Sequence, residues 1–432
     1  MTSNGTPHNA QVAEPVQAYT DTVHAPAGGR VLMLVENVSY PQDYRVRREA
    51  RALADVGFQV TVISPARPGQ PWRETIDGVR VYRYPAPPAA RGFMGYLLEY
   101  GYSTVAMFLL SLLVYFREGF DVIHAANPPD TLVFVAAGYK LLGKRFVYDH
   151  HDLVPELYCA MFDGSGNRLI HRVLLVLEKL SLRYADHVIA TNQSYRAMEM
   201  ERGGVPAERI TIVRNGPELN GRQVAEPDPG LRQKGRTIIG YVGVMGFQDG
   251  VDYLLRALHH LVHDLGRTDV LCVLIGGLGS AQPSLKQLAT QLGLDDHVWF
   301  TGFVSDADLL RYIASADICV DPDPSNPFND RSTMIKMLEY MAQGKPIVAF
   351  DLPEHRFTAQ AAAMYVRPND ELEFAHALAQ LVDDPARRQA MGLLGRRRVE
   401  TELAWHYSAQ NLVEAYRRLF PGPCERSERK MR

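Results

Sequence analysis

The 432 residues carry 49 acidic and 46 basic side chains, a formal net charge of -3. That near balance excludes the global basic field that draws a protein to nucleic acid. The four cysteines, Cys159, Cys272, Cys319 and Cys424, stand far apart with no CxxC pair. They argue against a zinc site or a disulfide framework and for a reducing cytoplasm.

The length accommodates two domains of about 150–200 residues each. Residues 1–29 are small, polar and Pro-containing, without a basic start or a long apolar run, and read as a disordered tail rather than a signal peptide. From Arg30 short apolar runs alternate with amphipathic ones, the grammar of parallel strands joined by helices. Strands are expected at Arg30–Glu36, Gln59–Ser64, Asp121–His124, Arg145–Asp149, His187–Thr191 and Ile210–Val213, with a helix from Tyr44 to Val56. Residues 217–236 read as a linker, after which the same grammar restarts. The second set of strands is Thr237–Val242, Val270–Ile275, Val298–Thr301, Ile318–Asp321 and Pro346–Phe350. The expected fold is α/β, with two doubly wound Rossmann-like domains, 30–216 and 237–403, facing a cleft. A final helix, 404–420, crosses back to brace the pair, and 421–432 reads as a charged tail.

The segment Tyr100–Phe116 is uncharged and at the lower limit of a bilayer span. Because a soluble strand follows almost at once, it reads as a helix on the sheet, a helix touching a membrane surface, or both. Arg45, Arg47, Arg48 and Arg51 form either a solvated basic helix face or a contact for anionic lipid.

Chemistry is expected around 326–350, a strand exit followed by a helix and the next strand. A helix beginning near Ser332 and ending at Gly344 puts Ser332, Lys336, Glu339 and Gln343 on one face and Met334, Met337, Leu338 and Met341 on the other. Its uncompensated first turn suits a diphosphate, with Ser332 and Thr333 as further donors and Lys336 as a neutralising charge. Glu339, with two acceptor oxygens, suits the paired hydroxyls of a ribose. Taken alone, this helix reads first as an ordinary surface helix with a solvated polar face and a Lys336–Glu339 pair. Gly243, Gly246 and Gly250, and Gly276, Gly277 and Gly279, form turns that let a phosphate approach backbone, or simply tight strand-to-helix connections. His151 and Asp152 leave a first-domain strand toward the cleft, placed to hold a substrate hydroxyl or stabilise charge, with a metal site as the lesser reading. Asp321-x-Asp323 is either a cation site or a rigid Pro-rich loop.

The chain resembles the family 4 glycosyltransferases of GT-B fold over about Arg30 to Phe420. The resemblance rests on Pro41-x-Asp43-x-Arg45-Val46 with Arg48-Glu49-Ala50, His151-Asp152 with Pro155-Glu156, Val213-x-Asn215-Gly216, Tyr241-Val242-Gly243 with Gly250-Val251-Asp252, Phe300-x-Gly302, and Glu339-x-Met341-Ala342 with Gly344-x-Pro346. It implies a retaining transferase using a nucleotide diphosphate sugar, most simply a UDP-sugar, without an essential metal or other cofactor. Glu339 then matches the ribose ligand, Ser332 and Thr333 the phosphate loop, Phe303 and Val304 positions beside the base, and His151 a residue near the transferred sugar. Gly243, Met245 and Gly246 fall in the donor loop. The chain departs from the family at Val244 and Asp249, where basic residues are usual, and at Arg331, where an acid is usual. Lys336 and Arg331 are the candidate substitutes at the phosphates, and Asp330 at the donor sugar. A subset of bacterial surface-polysaccharide enzymes shares this helix start. The acceptor is expected to be a glycan or polyprenyl-linked sugar at the cytoplasmic face of the membrane. Three rivals remain: a nucleotide-sugar-binding partner protein without turnover, a non-hydrolysing sugar-nucleotide epimerase, and a metal-dependent transferase built on Asp321 and Asp323.

Overall fold

The computed structural model describes residues 28–87, 92–161, 166–219, 224–232, 236–277 and 282–420. The expected tails 1–27 and 421–432, part of the linker, Gly279 and Cys424 lie outside the described residues.

Eight strands form the first sheet: β1 (Arg30–Leu34), β2 (Gln59–Ala66), β3 (Arg73–Ile76), β4 (Val79–Pro85), β5 (Val122–Ala126), β6 (Arg145–His150), β7 (His187–Ala190) and β8 (Ile210–Ile212). Their order is β3-β4-β2-β1-β5-β6-β7-β8, and every neighbouring pair is parallel except β3 with β4. The second sheet holds β9 (Thr237–Val242), β10 (Val270–Ile275), β11 (Val298–Gly302), β12 (Ile318–Asp321), β13 (Ile347–Phe350) and β14 (Ala363–Val366) in the order β11-β10-β9-β12-β13-β14, all parallel. The strands read as near-continuous apolar runs because helices cover both faces of each sheet. These are two Rossmann-like α/β domains.

The β3–β4 hairpin and β14 were not expected. Arg73-Glu-Thr-Ile and Val79-Arg-Val-Tyr-Arg hide their strand character behind charges. The turn between them carries the signal: Asp77 and Gly78 both have positive φ, 48° and 80°, as a tight hairpin turn requires.

The first-sheet helices are α1 (Tyr44–Asp55), α2 (Gly92–Arg117), α3 (Leu132–Lys140), α4 (Val154–Met161), α5 (Arg168–Tyr184) and α6 (Gln193–Glu201). Helix α1 starts where Asp43 Oδ1 accepts a hydrogen bond from Val46 N at 2.8 Å. It packs on one face of the sheet with the C-terminal helix Trp405–Leu419, whose Trp405, Leu412, Val413 and Tyr416 enter the core beside Val31 and Met33. On the opposite face, α2, α3 and α5 share a second core with Leu32, Leu34 and Ile123.

The arginines of α1 do not form an outward basic face. Arg45 and Arg48 are buried. Arg48 lies over the Tyr44 ring at 3.8 Å and the Trp405 ring at 4.6 Å and donates to Gly216 O. Only Arg51 is fully exposed and Arg47 half-buried, so the expected lipid contact of this helix does not hold.

Candidate functional site

In each sheet the strand order reverses direction once, between β1 and β5 and between β9 and β12. Ligands of doubly wound folds bind outside the carboxyl ends of the strands at such points. Here those ends carry Glu36, Asn127 and His151 in the first sheet, and Gly243 and Asp321 to Asp323 in the second.

His151 follows β6. Its backbone N–H donates to Asn127 Oδ1 at 2.6 Å, and that of Asp152 to the same oxygen at 3.1 Å. Asn127 Nδ2 donates back to Asp152 O at 2.8 Å, so one amide clamps the turn. His151 Nε2 lies 2.5 Å from Asp149 Oδ2. Asp149 is fully buried and takes Arg45 in a forked pair, Nη2 to Oδ1 at 2.7 Å and Nε to Oδ2 at 3.2 Å. His124 Nε2 reaches both Asp149 Oδ2 at 3.2 Å and Glu49 at 3.3 Å, while His124 Nδ1 meets Tyr416 Oη of the C-terminal helix at 2.7 Å. Burial alone would raise the Asp149 pKa, but Arg45 and His151 hold it well below the usual carboxylate range. Burial would likewise lower the His124 pKa, yet its bonds to Asp149 and Glu49 hold it at about 9. Burial keeps the Asp152 carboxyl above its ordinary pKa, against the pull of His151 and His150.

In the second sheet the turn after β9 is closed on itself. Gly246 N donates to Asp249 Oδ2 at 2.6 Å, so the acid standing where the family has a base caps the loop that was expected to offer its N–H to phosphate. Met245 is fully buried with φ at +64°, and its side chain belongs to the core rather than to a donor pocket. Gly243 N is bonded to Ile275 O at 3.1 Å. Gly250, at φ +63°, lies so close to Pro322 O that a Cβ would collide with it, which locks this turn onto the loop after β12.

Lys336 is not a free cation. Its Nζ sits 2.7 Å from Asp323 Oδ1 and 3.3 Å from Asp321 Oδ1, 5.1 Å from the Tyr241 ring centre. The aspartates raise its pKa well above normal in spite of burial. Burial and the neighbouring Asp321 push Asp323 well above the carboxylate range, while Lys336 and His355 hold Asp321 low against burial. Lys336 is therefore a buried cation bridging two aspartates whose pKa values are shifted in opposite directions.

The helix expected near Ser332 spans Ile335–Ala342, and no side chain caps it. Ser332 instead ends the short turn Asn329–Arg331 and donates to Phe328 O at 2.9 Å. Thr333 Oγ1 donates to Glu354 Oε2 at 3.1 Å and accepts from Asn192 Nδ2 at 3.0 Å and Arg214 Nη1 at 3.2 Å, joining the two domains. Ser332 is therefore not the helix cap, and the Thr333 hydroxyl, expected as a donor to phosphate, donates to Glu354 instead. Arg331 Nη1 donates to Pro327 O at 2.7 Å, and Asp330 Oδ1 is buried without a hydrogen-bond partner. Phe303 is 79% exposed beyond β11, and Val304 packs partly on the second-sheet core. Glu339 lines a cavity of about 400 Å³ with Tyr44, Asn215, Gly216, Leu338 and Gln343, at the seam between the domains. Burial, reinforced by Asp306, pushes its pKa to about 7.

Among the described residues two groups of side chains have the spacing of a cation site: Glu49, Asp149 and His151, and Asp321, Asp323 and His355. Each already encloses a protein cation, Arg45 in the first and Lys336 in the second. The Asp149 network and the Asn127 clamp were missed in the sequence as site features. Arg45 and Glu49 stand in a motif quoted for the resemblance, but their link to Asp149 spans about a hundred residues and only folding reveals it.

Residues 42–216 match the "Glycosyl transferase 4-like domain" model and residues 236–384 the "Glycosyl transferases group 1" model. The MMP alpha-(1->4)-mannosyltransferase of Mycolicibacterium hassiacum is 31% identical over 411 residues, 87% of this chain and 94% of that one. Sucrose-phosphate synthase from Thermosynechococcus elongatus superposes with a TM-score of 0.74 at 22% identity, over 91% of this chain and 99% of that one. Anabaena HepE, solved with UDP-glucose, gives 0.67 at 18%, over 90% and 99%. With both domains matched in order and the cleft between them, the chain belongs to the GT-B glycosyltransferases of the group 1 and 4-like family.

Proposed function

We propose that this glycosyltransferase moves a sugar, with retention, from a UDP-sugar to a glycan or lipid-linked acceptor in bacterial polysaccharide or glycoconjugate assembly, at the cytoplasmic face of the membrane. The observation that carries the donor assignment is Glu339. Its carboxylate borders an open cavity and has no side-chain hydrogen-bond partner among the described residues, so its acceptor oxygens remain available for ribose hydroxyls. Beside it the uncapped first turn of Ile335–Ala342 offers backbone N–H groups to a diphosphate. Phe303 and Val304 sit beyond β11 as the edge of the base site. The side chain of Arg331 frames the phosphate side, the N–H groups of Gly243 and Gly246 and the hydroxyls of Ser332 and Thr333 being committed within the protein.

In the proposed step the bond from the anomeric carbon to the diphosphate oxygen breaks, and the acceptor oxygen bonds to that carbon on the same face. The acceptor proton passes to the departing oxygen. His151, oriented by Asp149, and Asp152 hold the transferred sugar, and Asp330 contacts its hydroxyls. With Lys336 committed to Asp321 and Asp323, the leaving group relies on the helix end and on Arg331. The domains divide at 217–236, with the acceptor on the first and the donor on the second. The bound HepE donor supports a uridine nucleotide.

A second reading, a donor-binding partner without turnover, is favoured by the missing basic residues at Val244 and Asp249. Incubation with UDP-sugars and a panel of glycan and polyprenyl-linked acceptors decides between them. Product with the donor's anomeric configuration, read by NMR, supports the transferase; donor binding with no product from any acceptor supports the partner.

A further inference from the structure

Among the described residues one helix, within α2, is long and apolar enough to cross a membrane by length and composition. Its packing forbids a span. Met107 and Val114 are fully buried in the first-sheet core, Ser103 donates to Glu36 at 2.9 Å, and Ser111 bonds to Tyr139 Oη at 2.9 Å. Pulling α2 into a bilayer would dismantle that core.

The other side of α2 has no partner among the described residues. Leu98, Val105, Leu109 and Phe116 repeat at intervals of seven, four and seven, one stripe of a helix, and are exposed, Leu98 by 69% and Phe116 by 82%. Helix α3 packs between α2 and α5, joined to α2 through Thr104 and Thr131 and to α5 through Lys140 and Tyr184. All three cover the same face of the sheet, so their outward sides form one surface. On α3 and the turn after it Phe134 and Leu141 are exposed, and on α5 Leu169, Val173 and Val176.

The charges on this surface have one sign. Arg117, Arg168, Arg172, Lys179 and Arg183 are exposed on α2 and α5, whereas no carboxylate of the three helices is: Glu99 is half-buried and Glu178 is buried against Arg202. In a chain with net charge -3 this is a local inversion. Apolar stripes beside basic residues fit a bilayer interface carrying anionic headgroups, where leucine and phenylalanine enter the acyl boundary and arginine and lysine meet phosphate.

We propose that the outer face of α2, α3 and α5 docks flat on an anionic lipid surface. This deepens the reading of an acceptor at the membrane. Ser103 ties the inner side of the docking helix to Glu36 at the cleft end of β1, so docking sets the mouth of the first domain close to the lipid.

The test is cosedimentation of the full chain with vesicles of phosphatidylglycerol mixed with phosphatidylcholine, and with phosphatidylcholine alone. The expected result is binding to the anionic vesicles that weakens with salt. Both Val105→Gln with Leu109→Gln and Arg172→Glu with Lys179→Glu should lower it at least about tenfold, leaving nucleotide affinity unchanged. Absence of binding by the wild-type chain, or binding unaltered in both variants, overturns the proposal. So does a wild-type dimer that Val105→Gln with Leu109→Gln splits into monomers, which would assign the face to a second copy. Nucleotide calorimetry on the same protein separates failure of docking from failure of the transferase reading.

Discussion

His151 Nε2 lies 2.5 Å from the buried carboxylate of Asp149, and Arg45 and His124 hold that carboxylate from its other sides. A carboxylate accepts only, so it fixes the proton of a neutral His151 on Nε2 and leaves Nδ1 as an acceptor. Asp149 is thus a positioning residue for the ring that the proposed function sets against the transferred sugar. Asp149→Asn offers an amide donor and reverses the tautomer. The turnover number should fall at least about tenfold with donor KM little changed, and nitrogen NMR should show the shifted proton. In a His151→Ala background the same substitution should cost little; an equal loss there would make Asp149 purely structural.

Glu339 has its pKa raised to about 7, chiefly by burial. Ribose hydroxyls donate to the ionised form, so donor affinity should rise as pH passes upward through about 7. Glu339→Gln should weaken donor binding and flatten that dependence. Titration calorimetry between about pH 6 and about 8.5 reads both.

Lys336 separates two buried aspartates, and its removal leaves them without a cation. Lys336→Ala should destabilise the chain by about 3–5 kcal/mol, visible as a melting temperature lower by on the order of 10 °C. Burial and Asp321 push the Asp323 pKa well above the carboxylate range, so Asp323→Asn should cost less in the same melt than Lys336→Ala. A Lys336→Ala chain of normal stability that had lost only donor affinity would restore Lys336 as a phosphate ligand.

His124 and His150 are fully buried, and in each the acids overcome the lowering effect of burial and lift the pKa to about 9, through Asp149 and Glu49 for His124 and through Glu199 and Glu178 for His150. In an unfolded chain a histidine titrates near about 6.5. Their contribution is complete below that pH and is lost as pH rises through about 9. Denaturant melts should show stability falling between those values, by a few kcal/mol in total, and His124→Gln should reduce the slope.

Much of the architecture was legible because each buried parallel strand is an apolar run of its own. β9, β10 and β12 match their expected bounds to the residue. The hairpin β3–β4 escaped because its strands alternate charge with β-formers, although Asp77-Gly78 marked the turn. In the site, Glu339 emerged where helical spacing put it. Ser332 and Lys336 did not, for separate reasons. A serine is a helix cap only if the chain turns at that residue, and here the helix begins three residues later at Ile335. A lysine facing the cleft is a phosphate ligand only if no acid reaches it first, and Asp321 and Asp323 arrive from β12, a contact that spacing along the helix does not disclose. The basic face of α1 turned inward for the same reason, drawn by Asp149 and by the rings of Tyr44 and Trp405.

The measurement that bears most directly on the account is calorimetric binding of UDP, GDP, ADP and dTDP in the presence of chelator, for the wild-type chain and for Glu339→Ala. The account predicts selective binding of UDP that persists without divalent metal and weakens at least about tenfold in the variant. Binding of no nucleotide, or binding indifferent to Glu339→Ala, would contradict a donor site at the helix Ile335–Ala342.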